Sequence, residues 1–457
     1  MKVNSQIFRM YDIRGIAGED ITPELAFALG KAYGTLLREK GGKVVSVGRD
    51  VRHTSGDLEE GLIDGLRSVG VDVYEIGVVP TPVMYYSLFK WPVHGGIQVT
   101  ASHNPREYNG FKINLGHDTV YGDGIQELRD RIEREDFLRT DERGKLERKD
   151  IRGDYIEELV KGVKIERELR MALDTGNGTA GPLLTQILSE FPIKLEGIYL
   201  EPDGNFPNHL PDPTVEKYMQ DLIALVRKGF DLGIGIDGDG DRIGAVDEKG
   251  TLIFGDKLLG IFVKQVLRDN PGAPIIFDVK CSQGLVEYIE SLGGKPLMWK
   301  TGHSLLKAKL KEVGGPLAGE MSGHIFFKDR YYGYDDALYA TLRLLEIMSE
   351  SGKKLSELHG EIPFYYSTPE IRVGCPDDRK FEVVKELVEY FRSRYQVIDI
   401  DGARIQFEDG FGLVRASNTQ PVLVLRFEAK TPERLEEIKK IIIDRLREYD
   451  EVDLSGV

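Results

Sequence analysis

Three polar loops carry residue types that can move a phosphoryl group. The first, Thr100-Ala101-Ser102-His103-Asn104-Pro105, follows the apolar run Gly95-Gly96-Ile97-Gln98-Val99. A hydroxyl there sits where a parallel strand ends, the place where open α/β sheets bind ligands. The second, Asp237-Gly238-Asp239-Gly240-Asp241-Arg242, follows Leu232-Gly233-Ile234-Gly235-Ile236. Its glycines let the backbone turn tightly, so three carboxylates can converge on one hard cation. The third is Gly319-Glu320-Met321-Ser322-Gly323-His324. Alternation along an extended segment would put Glu320, Ser322 and His324 on one side of the chain, a set suited to sugar hydroxyls. A nucleophile, a metal site and a hydroxyl-binding loop point together to phosphoryl transfer on a polyhydroxylated substrate.

Rival readings exist for each loop. An EF-hand would place its twelfth-position carboxylate at Glu248, but its sixth position here is Arg242, not glycine, and a strand precedes the loop. A solvated acidic turn is the plainer alternative. A Ser-His-Asp hydrolase lacks its Gly-x-Ser-x-Gly elbow, since Ala101 and His103 flank Ser102. Serine is also common in ordinary turns. Glu320–His324 also fits a polar edge strand. A fourth loop, Arg415-Ala416-Ser417-Asn418-Thr419-Gln420-Pro421, combines a guanidinium fork with hydroxyl and amide groups. That set can cradle an anion, or simply form a polar hairpin turn. Arg9, Arg14, Lys112, Arg242, Lys280, His303 and Arg415 lie in or beside Gly- and Ser-rich loops, where they can build an electropositive cleft.

Repeated βα units are expected to position these loops. Val44–Asp50, Leu169–Asp174 and Ile275–Lys280 each read as an apolar strand, a polar turn and a helix. Second strands follow at Val71–Ile76, Lys194–Tyr199 and Lys295–Trp299, and the third element of each repeat carries one polar loop. The repeat length of roughly a hundred residues suits one domain per repeat. Charged or Pro-rich stretches mark the boundaries, predicting domains at 1–150, 151–250, 251–365 and 366–457. The last departs from the repeat. It reads as α+β: a helix over about 379–395, strands at 396–400, 402–407, 413–416 and 422–429, and a final helix capped by Thr431 and Pro432. Thr22-Pro23-Glu24 signals another helix start.

Bulk properties narrow the partners. The 457 residues allow several cores, and a net charge of −15 argues against a general nucleic-acid or anionic-membrane binder. Charged residues make up 30%, somewhat above the usual share of roughly 25%. Cys281 and Cys375 form neither a disulfide framework nor a CxxC pair. The first residues lack the apolar core of a signal peptide, and no apolar run is long enough to cross a bilayer. A cytoplasmic location is expected.

The four loops, in this order, resemble the four signatures of the α-D-phosphohexomutases, and Phe8-Arg9-Met10-Tyr11-Asp12-Ile13-Arg14-Gly15 resembles that family's N-terminal segment. The resemblance implies three similar α/β domains with mixed sheets plus a C-terminal α+β domain, heart-shaped around a central cleft. Ser102 would carry the phosphoryl group, with Lys112, Arg242 and His103 beside it. Asp237, Asp239 and Asp241 would hold one Mg²⁺ together with a Ser102 phosphoryl oxygen. Tyr11, Arg14, Lys280, His303, Glu320, Ser322 and His324 would line the sugar site. Arg415, Ser417, Asn418 and Thr419 would grip the non-transferring phosphate. The implied reaction moves phosphate between C1 and C6 of a hexose through a hexose 1,6-bisphosphate. Met321 is similar to the phosphomannomutase/phosphoglucomutase branch, since the phosphoglucosamine branch typically has Gln there.

Overall fold

The computed structural model describes all residues except Thr419 and Gly456. The chain forms two compact units. One comprises Met1–Leu258 and Ser322–Leu358, the other Leu259–Met321 and His359–Val457.

The first unit holds two mixed sheets. In one, the parallel strands Asp72–Val78, Val44–Arg49 and Gly95–Val99 lie side by side, and Tyr108–Leu115 and Ile13–Ile16 extend the sheet antiparallel. Thr22 accepts from Leu25 N–H and Pro23 takes the first turn, so the helix Pro23–Glu39 starts where the sequence predicts. It crosses Ser55–Ser68 closely: a Cβ at Gly30 would stand 2.3 Å from the Leu62 carbonyl oxygen, and one at Gly65 2.1 Å from that of Phe27. Leu25, Leu29, Ala32 and Leu36 are buried at helical spacing along the first helix.

The second sheet repeats that order. Ile193–Ile198, Leu169–Asp174 and Leu232–Ile236 run parallel, and Ile243–Asp247 returns antiparallel. Leu232–Ile236 is buried throughout, and its two glycines admit helix side chains: a Cβ at Gly233 would meet Val226 at 2.5 Å, and one at Gly235 would meet Met219 at 2.7 Å. Glu248-Lys249-Gly250 is a hairpin turn. The sheet continues through Leu252–Ile253.

The second unit repeats the pattern again, with Lys295–Trp299, Pro274–Asp278 and Leu317–Gly319 parallel. Its C-terminal part is an antiparallel sheet in the order Tyr366–Ser367, Val422–Ala429, Gly410–Ala416, Ala403–Phe407, Gln396–Ile398. Ile371–Gly374 also pairs with Val422–Ala429. Helices Lys380–Arg392 and Pro432–Leu446 bury Leu387, Phe391, Ile438 and Ile442 in one core with Val414, Leu425 and Phe427. Each such side chain gains about 1.5–3 kcal/mol from burial. The expected fold class therefore holds: three βα repeats on mixed sheets and one α+β part.

Candidate active site

Strand Gly95–Val99 delivers Ser102 to the start of a tight loop. Ser102 is 1% exposed and has a φ of 52°, a left-handed conformation that costs a non-glycine residue about 1–2 kcal/mol. Thr100 Oγ1 accepts from Ser102 N–H at 2.9 Å. The Ser102 hydroxyl donates to Asp237 Oδ2 at 2.7 Å and lies 3.1 Å from His103 Nδ1. Burial, then the charges of Arg242 and Arg14, hold His103 well below the usual imidazole range, so its ring is neutral at neutral pH.

The three aspartates converge beside this hydroxyl. All are fully buried. Asp237 Oδ1 accepts from the N–H groups of Gly240, Asp241 and Arg242 at 3.0, 3.0 and 3.1 Å, which fixes the turn. Gly240 has a φ of 81°. A Cβ at Gly238 would lie 2.5 Å from the Ser102 carbonyl oxygen, so glycine is what lets the two loops touch. Asp239 Oδ2 accepts from Thr81 Oγ1 at 2.6 Å and from Lys112 Nζ at 2.7 Å, and Lys112 also pairs with Asp241. Burial, then Asp239 and Asp241, push Asp237 well up. For Asp239 burial acts upward, but the charge and hydrogen bond of Lys112 together with the Thr81 hydrogen bond prevail and hold the carboxyl low.

These residues fit a divalent cation. One ligand atom from each aspartate lies within 4.8 Å of the others. Asp239 Oδ1 and Asp241 Oδ1 are buried without a hydrogen-bond partner. Unpaired buried carboxylate oxygens are costly, and a hard cation with oxygen ligands would satisfy them.

A second chain of polar groups borders the acidic cluster. Arg242 Nε lies 2.9 Å from His324 Nε2, and His324 Nδ1 lies 2.8 Å from Asp335 Oδ2. The arginine can only donate, so His324 accepts at Nε2. Arg14 pairs with Asp12 at 2.5 Å and donates to Asn104 Oδ1 at 3.0 Å, which ties the N-terminal segment to the serine loop. Tyr11 is partly exposed beside it in sequence.

In the second unit, Asp278 organises the remaining loops. It accepts from Cys281 Sγ at 2.9 Å, Thr301 Oγ1 at 3.2 Å and Met321 N–H at 3.1 Å. Lys280 lies 3.4 Å from Glu370 and 3.8 Å from Asp278, whose charges outweigh burial and raise its ammonium above the ordinary value. His303 opens a helix directly after Gly302, whose N–H donates to Glu320 Oε1 at 2.5 Å. Arg415 Nε donates to Asp401 Oδ2 at 3.1 Å, and Ser417 Oγ accepts from Gln420 N–H at 3.1 Å. Asn418 is partly exposed. Thr419 lies outside the described residues.

One expectation fails. Glu320, Ser322 and His324 do not alternate along a strand. Leu317–Gly319 ends before them, residues 321–323 form a turn, and Gly323 has a φ of 87°. The Ile243 carbonyl oxygen stands 2.4 Å from where a Gly323 Cβ would be, so close packing enforces the turn. Glu320 turns to Gly302, and His324 turns to Arg242 and Asp335.

Four family models match the chain in order. They are phosphoglucomutase/phosphomannomutase alpha/beta/alpha domain I at residues 5–139, domain II at 153–250, domain III at 254–365 and the C-terminal domain at 370–445. The chain belongs to the phosphoglucomutase/phosphomannomutase family. A Pseudomonas aeruginosa protein named phosphomannomutase/phosphoglucomutase is 44% identical over 448 residues, covering 98% of this chain and 96% of that one. A Neisseria gonorrhoeae phosphoglucomutase is 42% identical over 441 residues, covering 96% of each. A crystal structure of a family member from Burkholderia thailandensis superposes with a TM-score of 0.91 at 43% identity and covers 98% of both chains.

Several buried carboxylates beside these loops were not singled out from sequence. Asp50, Asp174 and Asp278 stand at the ends of equivalent strands in the three repeats and are all buried. Asp50 accepts from Thr100 Oγ1 and Ser55 Oγ, and Asp174 from Gly176 N–H with His209 Nε2 at 3.0 Å. The available signal was positional: Asp174 and Asp278 end the first parallel strand of their repeats and Asp50 directly follows that of its own. Asp335 and Asp401 had none, because they face His324 and Arg415 across intervening turns whose path no local spacing fixes.

Proposed function

We propose that this chain catalyses reversible phosphoryl transfer between C1 and C6 of mannose or glucose phosphates, through phosphorylated Ser102 and a hexose 1,6-bisphosphate. The observation that carries this reading is the buried Ser102 hydroxyl, 2.7 Å from Asp237 within a three-carboxylate cluster. The names of the Pseudomonas and Neisseria relatives support it.

The chemistry follows from the residues. The phosphorus–oxygen bond to Ser102 breaks as a sugar hydroxyl oxygen bonds to phosphorus; the sugar hydroxyl loses one proton and the departing Ser102 oxygen gains one, which restores the serine hydroxyl. The bisphosphate then turns around, and its other phosphoryl group returns to Ser102. Asp237, Asp239 and Asp241 would hold Mg²⁺, which supplies charge neutralisation at the phosphoryl oxygens. Lys112 and Arg242 add fixed positive charge next to the reacting serine, and neutral His103 borders its hydroxyl. Glu320, Ser322 and His324 bind sugar hydroxyls, with Tyr11, Arg14, Lys280 and His303 completing the substrate contacts. Arg415, Ser417 and Asn418, with Thr419 by sequence alone, anchor the phosphate that stays. The proposed domains 1–150, 151–250, 251–365 and 366–457 carry the serine loop, the aspartate loop, the Glu320–His324 loop and the Arg415–Thr419 loop in turn.

The test is an assay of mannose, glucose and glucosamine 1-phosphates with Mg²⁺ and catalytic hexose 1,6-bisphosphate, measuring 6-phosphates and free phosphate. Rapid isomerisation of the mannose and glucose compounds is expected. Preference for glucosamine 1-phosphate would overturn the reading of Met321. Release of inorganic phosphate alone would make the protein a phosphatase.

A further inference from the structure

Arg52 is 1% exposed and sits on the loop after strand Val44–Arg49, with every donor committed. Its Nε donates to Asp50 Oδ2 at 3.0 Å. Nη1 donates to the carbonyl oxygens of Pro105 at 2.6 Å and Tyr108 at 3.1 Å, and Nη2 to those of Ser102 at 2.9 Å and Asn104 at 2.6 Å. A guanidinium has five N–H donors in a rigid planar fork. All are used here, and four of them grip the backbone of the serine loop.

Asp50 completes the clamp from the other side. Its Oδ1 accepts from Arg52 N–H at 3.0 Å and Ser55 Oγ at 2.6 Å, and its Oδ2 from Thr100 Oγ1 at 2.9 Å. Thr100 Oγ1 in turn accepts the Ser102 N–H. Ser102 thus has its N–H and its carbonyl held by one connected network, and its φ of 52° is a conformation that persists only when its surroundings impose it. Phe206 covers the outer face of the guanidinium, its ring centroid 5.0 Å away.

We propose that Arg52, braced by Asp50, is a positioning residue for Ser102: it holds the strained serine loop so that the hydroxyl meets the acidic cluster, and it sets the rate of phosphoryl transfer without contributing to phosphosugar affinity. The proposal rests on the phosphoserine reading above. Lysine cannot replace the arginine, because an ammonium has no planar fork and would leave several buried carbonyls unpaired.

The experiment compares wild type, Arg52→Lys and Asp50→Asn. It measures kcat and KM for glucose 1-phosphate, the rate of Ser102 phosphorylation by glucose 1,6-bisphosphate, and Tm. For Arg52→Lys we expect kcat and phosphorylation rate to fall about 10- to 100-fold, with KM within about twofold, since small misplacements of a reacting group cost rate. The loss is counted per phosphorylatable serine, which removes unfolded protein from the comparison. Asp50→Asn should show a smaller loss of the same kind, and it carries the test if Arg52→Lys does not fold. Wild-type turnover per phosphorylatable serine, with only Tm reduced, would overturn the positioning role. Failure of the wild type itself to take up a phosphoryl group would instead overturn the phosphoserine reading.

Discussion

At Lys112, burial and charge pull in opposite directions. Burial alone would lower the ammonium, but Asp239 and Asp241 outweigh it, so Lys112 stays charged inside the protein. Lys112→Met would leave those buried carboxylates without their counter-charge. The expected cost is about 3–5 kcal/mol, read as a lower Tm in chelator, with Mg²⁺ recovering part of it. An unchanged Tm would contradict this account of the cluster. Gly238→Ala tests the contact between loops, because its Cβ would fall 2.5 Å from the Ser102 carbonyl oxygen. It should cost about 1–3 kcal/mol and reduce kcat while the rest of the fold persists. At this scale the sequence exposed much of the centre: Ser102 and the three aspartates stand out because hydroxyl and carboxylates follow apolar strands among glycines. Arg52 and Asp335 stayed hidden, since most of Arg52's partners are backbone carbonyls and Asp335 meets its histidine only through a turn that no spacing reveals.

The elements that carry these residues were legible where local chemistry governs them. Thr22-Pro23 and Thr431-Pro432 start helices as expected, because cap and first-turn preferences act within a few residues. Period-two alternation misled at Glu320–His324, where packing of Gly323 against Ile243 imposes a turn instead of a strand. The second sheet offers a pH test. Burial lowers the His209 pKa, but the hydrogen bond and charge of Asp174 prevail and raise it above the ordinary value. Protonated His209 therefore stabilises the native state fully below about pH 6.5, and that contribution is lost as pH rises through the raised native value. The Tm difference between wild type and His209→Asn should shrink across that range. A difference independent of pH would contradict it.

For the molecule as a whole, repetition was readable and assembly was not. Three strand–turn–helix segments announce three equivalent sheets, but the grouping into two compact units depends on contacts between distant segments. Two units with separate cores should unfold in more than one calorimetric step. Mg²⁺ should raise the transition of the unit containing Asp237, Asp239 and Asp241, by about 2.7 kcal/mol at a hundred times the dissociation constant. An equal shift of every transition would contradict a metal site confined to that unit. The acidic total, at a net charge of −15, hides basic groups buried near the acidic cluster, such as Lys112.

The central claim is that Ser102 carries the phosphoryl group. The most direct measurement is mass spectrometry of the intact protein and its peptides after incubation with glucose 1,6-bisphosphate and Mg²⁺, for wild type and Ser102→Ala. One phosphoryl group on the Ser102 peptide, lost again on adding glucose 1-phosphate and absent from Ser102→Ala, is the predicted result. Mutase turnover retained in Ser102→Ala, or a phosphoryl group on another residue, would contradict it.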